Sequence, residues 1–401
     1  MASEPTAALP RIKLSRARVA RGASMLVAVI ALMLMLHGYI GYHLFRSDVM
    51  PAWGERLGSG VLLALFASIP LSMILRRRGR SGAVRWMLPL AYFWMGSFGV
   101  LLSVVFVSDL ARWAFLAVHA PLSAVDLSEL ARAQALAIVV VGAALVAWAV
   151  RTARGRAQVE RVQVAIPGLG TDMVGLTIAQ ISDIHIGETL RRPFLERTVA
   201  QVNALDADIV AITGDLVDGY VRELEDEVAP LGELKARLGV FFVTGNHEYY
   251  WDGPAWEGHV RALGVTVLHN EHKVLRRGQD AIALGGVTDL HGGDFAADHD
   301  SRPDLAFAGA PTGIPRVLLA HQPKSAEAAS RAGVALQLSG HTHGGQSYPF
   351  NLFVRLQQPA VAGLKRLYGI WVYTHRGTGF WGPAMRLGPT PEIALLELVR
   401  G

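Results

Sequence analysis

Five short motifs set metal-ligand side chains along a chain of 401 residues. They are Asp183-Ile-His185, Gly-Asp215-Leu-Val-Asp218, Gly-Asn246-His247-Glu248, His321 in an Ala-His-Gln-Pro run, and Gly-His341-Thr-His343. Carboxylate, imidazole and amide oxygen together suit divalent cations such as Mn, Fe, Zn or Mg. In an extended Asp-x-His or His-x-His element, alternate side chains share one face, so both reach one site. A single such motif is commonly chance. Five in series, each closing an apolar run, point to one shared metal site.

The runs that carry them read as strands. GLTIAQISD, ADIVAITGD, GVFFVTGN, AIALGGVTD, RVLLAHQ and VALQLSGH are short, β-branched and buried in pattern, and each ends in polar residues. PFLERTVAQVNAL and KSAEAASRAG between them show helical spacing, and GIWVYTHRG and PEIALLELV read as two further strands. Strands alternating with helices imply a layered α/β fold. Ligands of open α/β sheets gather at the carboxyl ends of strands, which is where the motifs fall. His259, His269, His272, His291, His299 and His375 stand in polar or loop-like contexts and are expected to be solvated or locally bonded.

The first 150 residues are of another kind. Apolar runs near 23–45, 58–75, 86–107 and 133–150 approach the roughly 20 residues that cross a bilayer core. In lipid the backbone satisfies its own hydrogen bonds, so each is expected to be helical. The spans hold few polar groups, His37 and His43 among them, and an interfacial position accounts for His43. Trp113–Leu122 reads either as an interfacial helix or as an extension of the third span. Clusters of arginine flank the even-numbered sides: Arg11 to Arg21 before the first span, Arg76 to Arg85 after the second, Arg151 to Arg161 after the fourth. The pattern predicts a cytoplasmic N-terminus and a cytoplasmic C-terminal domain of a multi-pass inner-membrane protein.

Composition closes off other classes. Charged residues are only 18% and apolar residues 51%, which excludes a disordered chain. The absence of cysteine excludes thiolate metal sites and cysteine nucleophiles. The basic excess belongs wholly to the first 150 residues, at +8, and the remainder is net acidic at −3, so no nucleic-acid partner is expected. The expected organisation is a basic N-terminus over 1–22, a transmembrane region over 23–150, a linker and leading strand over 151–174, and an α/β domain over 175–401.

The ordered set Asp-x-His, GDLVD, GNHE, His and GHTH resembles the calcineurin-like metallophosphoesterase superfamily over roughly Leu176 to Val399. HQPKSAEAASRAGVALQLSGHTHGGQ and RGTGFWGPAMRLGPTPEIALLEL look like its bacterial membrane-associated branch, the YkuE and YaeI type. The resemblance implies two packed β-sheets flanked by helices, and a site for two divalent metal ions, Mn favoured. It places Asp183, His185 and His343 on the first ion and Asn246, His321 and His341 on the second, with Asp215 bridging. His247 would act beside the ions without ligating them, and Asp218 would orient it. Two cations of this kind clamp both oxygens of an in-line phosphoryl displacement and acidify a water, while a histidine protonates the leaving oxygen. The superfamily's protein serine/threonine phosphatases carry an Arg after GDxxD, where this chain has Gly219 and Tyr220, which argues against a phosphoprotein substrate.

The expected function is therefore hydrolysis of a phosphodiester or pyrophosphate. A membrane anchor favours a lipid or lipid-linked substrate, since a soluble nucleotide does not require one. Hydrolysis of soluble nucleotides, and a non-catalytic metal-binding domain regulating a membrane partner, are the alternative readings. The aromatic and basic stretch Ser347–Val372 suits either packing over the sheet or contact with a membrane surface.

Overall fold

A computed structural model describes residues 16–77, 82–119 and 126–401. The head of the basic N-terminus, part of the arginine cluster at 76–85 and the end of the 113–122 stretch lie outside the described residues. The chain divides into two compact units, Met1–Ala143 and Ala144–Gly401.

The first unit consists of α1 (Arg16–Phe45), α2 (Ala52–Arg77), α3 (Gly82–Val118) and most of α4 (Leu127–Arg154). Each helix holds a stretch long and apolar enough to cross a membrane. α3 runs on through Val118, so residues 113–118 extend the third span rather than forming a separate interfacial helix. Ile40, Leu62, Trp94, Phe98, Val105 and Ile138 pack between the helices. His43 is buried between helices: its Nε2 lies 3.1 Å from Asp109, which also accepts from Tyr39 and Gln134. These partners tie α1, α3 and α4 together by hydrogen bonds, where the hydrophobic effect gives no drive. His37 is also buried, stacked on Phe98 and accepting from Trp94 Nε1 at 3.1 Å.

The second unit alternates strands and helices. In order they are β1 (Gln158–Ile166), β2 (Leu176–Ile181), α5 (Arg192–Asn203), β3 (Ile209–Ile212), α6 (Val221–Val228) and β4 (Val240–Phe242). Then come α7 (Asn246–Tyr250), α8 (Gly253–Ala262), β5 (Thr266–Val267), β6 (Glu271–Arg277) and β7 (Asp280–Gly286). α9 (Pro303–Ala306), β8 (Arg316–Leu319), α10 (Ala326–Arg331) and β9 (Leu336–Ser339) follow. α11 (Asn351–Gln357), β10 (Gly363–Leu367), β11 (Ile370–Thr374) and β12 (Glu392–Arg400) complete it.

Two six-stranded sheets result, ordered β1-β12-β2-β3-β4-β5 and β10-β11-β9-β8-β7-β6. β2, β3, β4 and β5 are parallel, as are β7, β8, β9 and β11, while β12 runs antiparallel to β2. Alternate side chains explain the layers. Ile178, Ile209, Ala211 and Phe241 share one core with Val317, Leu319, Leu336 and Leu338 of the other sheet. Their neighbours Ala179, Val210 and Ile212 pack instead under α5, α6 and α8, through Leu195, Val199, Leu224, Trp256 and Val260. Ala283, Leu318 and Val372 face α9 and α10. Strands covered on both faces read as continuous apolar runs, which is the pattern the sequence carries. The fold is two packed sheets flanked by helices, as expected.

Candidate metal centre

The two sheets bring their ligand-bearing ends to one place. Asp183 and His185 follow β2, Asp215 and Asp218 follow β3, and Asn246 and His247 open α7 after β4. His321 follows β8, and His341 and His343 follow β9. Five of these hold left-handed backbone: Asp183 (φ 53°), His185 (54°), Asp215 (53°), His341 (71°) and His343 (51°). Such conformations cost energy in non-glycine residues and persist where the surroundings over-determine them, most often at functional sites. Two glycines permit the close approach. A side chain on Gly245 would strike the Asp215 carboxylate, and one on Gly340 would strike Ser182 and Asp183.

Ligand atoms converge on two points. His185 Nε2 faces His343 Nε2 at 3.1 Å, and His343 Nε2 lies 3.4 Å from Asp183 Oδ1. His321 Nε2 lies 3.3 Å from His341 Nδ1. Asp215 stands between the groups, with Oδ2 3.2 Å from His321 Nε2 and 3.8 Å from His185 Nε2. Asn246 Oδ1 is buried and has no hydrogen-bond partner among the described residues. Facing imidazole nitrogens and an orphaned amide oxygen are what a pair of bound cations resolves, and the donor set fits them.

Neighbouring groups fix these side chains. His321 Nδ1 donates to the Thr213 carbonyl at 2.7 Å, which turns Nε2 toward Asp215. Asp218 Oδ1 lies 2.5 Å from His247 Nδ1 and 3.3 Å from His185 Nδ1. Without cations, burial opposes the charge on Asp218, but the two imidazoles and their hydrogen bonds hold its carboxyl well below the usual range. Burial likewise opposes the His247 imidazolium, yet Asp215 and Asp218 push it up to about 9. Burial holds His341 down to about 3 and His343 well below its ordinary value, so both are neutral and ready to ligate. His247 is only half-buried, flanked by the rings of Tyr250 at 5.1 Å and Trp381 at 6.2 Å.

Sequence reasoning gave no role to two residues that organise the site. Glu248 is fully buried, and its two oxygens accept four backbone N–H groups. These come from Gly245 (2.6 Å), Asp215 (3.0 Å), Leu216 (2.7 Å) and Val217 (3.3 Å). The fourth letter of GNHE was its only signal. Arg386, also fully buried, donates to the carbonyls of Gly377, Gly379 and His343, and no spacing in the sequence marked it.

The remaining histidines divide. His291 is exposed beside Asp294. His375 and His299 are buried rather than solvated, and each is hydrogen-bonded, His375 to a local partner. His375 directly follows β11 inside the second unit, where its Nδ1 accepts from Gly377 N at 2.9 Å. His299 Nδ1 pairs with Tyr249 Oη at 2.8 Å. His269 Nδ1 lies 3.0 Å from both oxygens of the buried Glu257, which also accepts from Arg261 at 3.2 Å. That cluster is already satisfied by donors of its own, unlike the facing nitrogens around Asp215.

The profile of the calcineurin-like phosphoesterase family matches residues 176–345. A transmembrane protein with metallophosphoesterase domain from Danio rerio is 37% identical over 273 residues, 66% of this chain and 62% of that protein. A metallophosphoesterase of Campylobacter jejuni is 35% identical over 272 residues, 66% of this chain and 69% of that one. The metallophosphoesterase YkuE of Bacillus subtilis is 28% identical over 234 residues, 56% of this chain and 79% of its own length. The chain thus spans less than two thirds of the Danio rerio protein and more than two thirds of the Campylobacter jejuni and Bacillus subtilis ones. It belongs to the calcineurin-like phosphoesterase family.

Proposed function

We propose that this chain is a membrane-anchored two-metal phosphohydrolase that cleaves a phosphodiester or pyrophosphate bond in a lipid or lipid-linked substrate. The observation that carries the reading is Asp215, whose carboxylate stands between the His185–His343 and His321–His341 pairs. Asp183, His185 and His343 would hold one cation and Asn246, His321 and His341 the other, with Asp215 within reach of both groups. When bound, the cations supply Lewis-acid charge to the phosphoryl oxygens and an acidified water; Mn is favoured, with Fe, Zn and Mg the alternatives.

The chain's own residues do the rest. His247 is close to the ligands without facing another imidazole nitrogen, and its partly exposed ring donates a proton to the departing oxygen. Asp218 keeps Nδ1 protonated, so Nε2 is the atom that gives up the proton. The backbone N–H of His247 donates to Asp215 Oδ1 at 2.9 Å, which fixes the shared carboxylate relative to the proton donor.

Four helices long and apolar enough to span, together with a relative named as a transmembrane protein, support a membrane protein. The arginine flanks support a cytoplasmic position for the catalytic unit of an inner-membrane protein. A lipid or lipid-linked phosphoester gains from a hydrolase tethered to the bilayer, whereas a soluble nucleotide does not require one, and that is the argument for this substrate class.

The test uses the detergent-purified chain, stripped and reloaded with Mn²⁺, Zn²⁺ or Mg²⁺. Turnover of an aryl phosphodiester and of a nucleotide-linked lipid pyrophosphate is followed beside His247→Ala and Asp215→Asn. Turnover that disappears in both variants is expected. Full activity in Asp215→Asn would overturn the two-metal assignment.

A further inference from the structure

Large apolar side chains scattered singly on a surface are ordinary, but a contiguous exposed set marks a contact. The second unit has one such set. Tyr348, Phe350, Leu352, Phe353 and Leu356 are all 42% to 82% exposed, within nine consecutive residues. α11, which carries three of them, buries no residue at all. The segment begins directly after the metal-binding turn: His343 is a ligand, and Thr342 Oγ1 donates to Val361 O at 2.6 Å beyond the segment. Gln346 clasps the backbone of Trp381, accepting from its N at 3.0 Å and donating to its O at 2.8 Å. The Trp381 ring is the one beside His247.

Charge says what covers this surface. From Gly344 to Pro391 the chain contains no aspartate or glutamate, while Arg355, Lys365 and Arg366 are exposed. Aromatic and leucine side chains with basic neighbours and no acids suit the interface of a bilayer that carries anionic lipids. Connectivity keeps such a surface within reach. Only Gly155, Arg156 and Ala157 separate α4 from β1, and three extended residues span about 10 Å.

We propose that Tyr348–Leu356 beds into the bilayer interface beside the metal centre, so that the site receives phosphoesters presented by membrane lipids. The lipid-substrate half of this rests on the phosphohydrolase reading above; the docking half does not.

The chain has no cysteine, so a single Phe353→Cys carries one environment-sensitive fluorophore. The full chain is reconstituted into phosphatidylcholine–phosphatidylglycerol vesicles, with Leu305→Cys on α9 as the exposed reference. Spin-labelled lipid is expected to quench the label at 353, and iodide to quench it severalfold less than the label at 305. Equal iodide access at both positions would overturn the docking. So would a label shielded from both quenchers, which would mean that protein covers the segment. Leu356→Cys repeats the measurement should Phe353→Cys misfold. Separately, the Leu352→Ser, Phe353→Ser, Leu356→Ser triple variant is expected to lower vesicle-lipid turnover severalfold relative to a soluble aryl phosphodiester. An unchanged ratio would overturn the lipid half. Quenching needs no turnover, so an inactive chain that still docks would fault the functional reading alone.

Discussion

Asp218 Oδ1 stands 2.5 Å from Nδ1 of His247 and, at 3.3 Å, also reaches Nδ1 of His185. One carboxylate therefore orients both the proposed proton donor and a proposed metal ligand. The two roles separate by substitution. His247→Ala should lower kcat about 10²–10⁴-fold, the usual worth of general acid catalysis, and leave both metals bound. Asp218→Asn should lower kcat and also weaken metal binding, each by roughly 10–100-fold, because the partner of a ligating histidine sets its tautomer and orientation. Metal content measured beside kcat distinguishes them. An Asp218→Asn enzyme with wild-type kcat and metal affinity would remove Asp218 from the mechanism.

Removing the cations should cost stability as well as activity. Asp183 and Asp215 are buried together. Burial opposes a charged His321, yet Asp215 and Asp183 hold its imidazole well above the ordinary value, so the metal-free site holds a proton that a cation must displace. Chelation is expected to abolish turnover and lower Tm, with both restored on reloading. Cations at about 100 times Kd would stabilise by about 2.7 kcal/mol per site. Metal affinity should weaken as pH falls. Isothermal titration in two buffers of different ionisation heat measures the released protons, and an absence of proton release would contradict the site.

Glu248 makes a prediction of another kind. It accepts from the backbone of Asp215, Leu216 and Val217 after β3 and from Gly245 before α7. Glu248→Ala leaves these buried donors unpaired and should destabilise by about 3–5 kcal/mol, since each orphaned buried group costs about 1–3 kcal/mol. Glu248→Gln keeps one carbonyl oxygen and should be intermediate in Tm. If both variants melt as the wild type does, the clamp contributes nothing.

Much of this was legible in the sequence, and the reason is physical. β2, β3, β4, β8 and β9 are buried on both faces, so their apolar runs stood out, and the polar residue closing each run could be read as a ligand. What escaped detection was stabilised from afar. β6 alternates as Glu-His-Lys-Val-Leu-Arg-Arg and has no apolar run of its own; it exists through its antiparallel pairing with β7. Arg386 meets His343 across 43 residues, and Asp109 meets His43 across two helices, so no local spacing recorded either contact. The depth of His375 depends on sheet packing that its polar neighbours concealed.

The Glu257–His269 pair should leave a mark on the pH dependence of stability. The hydrogen bond His269 donates to Glu257 raises its imidazole above the ordinary 6.5, against the effect of burial. A raised histidine contributes fully below its unfolded value and loses that contribution as pH climbs through the folded one. For Glu257, burial is outweighed by the bond and charge of His269, and its carboxyl is lowered. Its contribution is present above the unfolded value and lost as pH falls through the folded one. The pair is thus fully effective between the ordinary glutamate and histidine values. His299, which burial lowers, has the opposite slope but remains in both proteins compared. His269→Gln should therefore lower Tm at pH 6 to 6.5, and the difference should shrink as pH climbs past the ordinary histidine value toward pH 9. A constant Tm difference across that range would assign His269 a purely packing role.

The membrane orientation can be read with the same cysteine-free chain. Four spans would return the C-terminal unit to the side of the N-terminus, and the arginine clusters predict that side to be cytoplasmic. Met50→Cys, in the short turn between α1 and α2, should react with a membrane-impermeant maleimide from outside intact cells. Leu305→Cys in the catalytic unit should react only after permeabilisation. Both positions are exposed, so access to the side chain does not limit either reaction. The reverse pattern would place the metal centre outside and turn the search for its substrate from cytoplasmic-leaflet lipids to those of the opposite face.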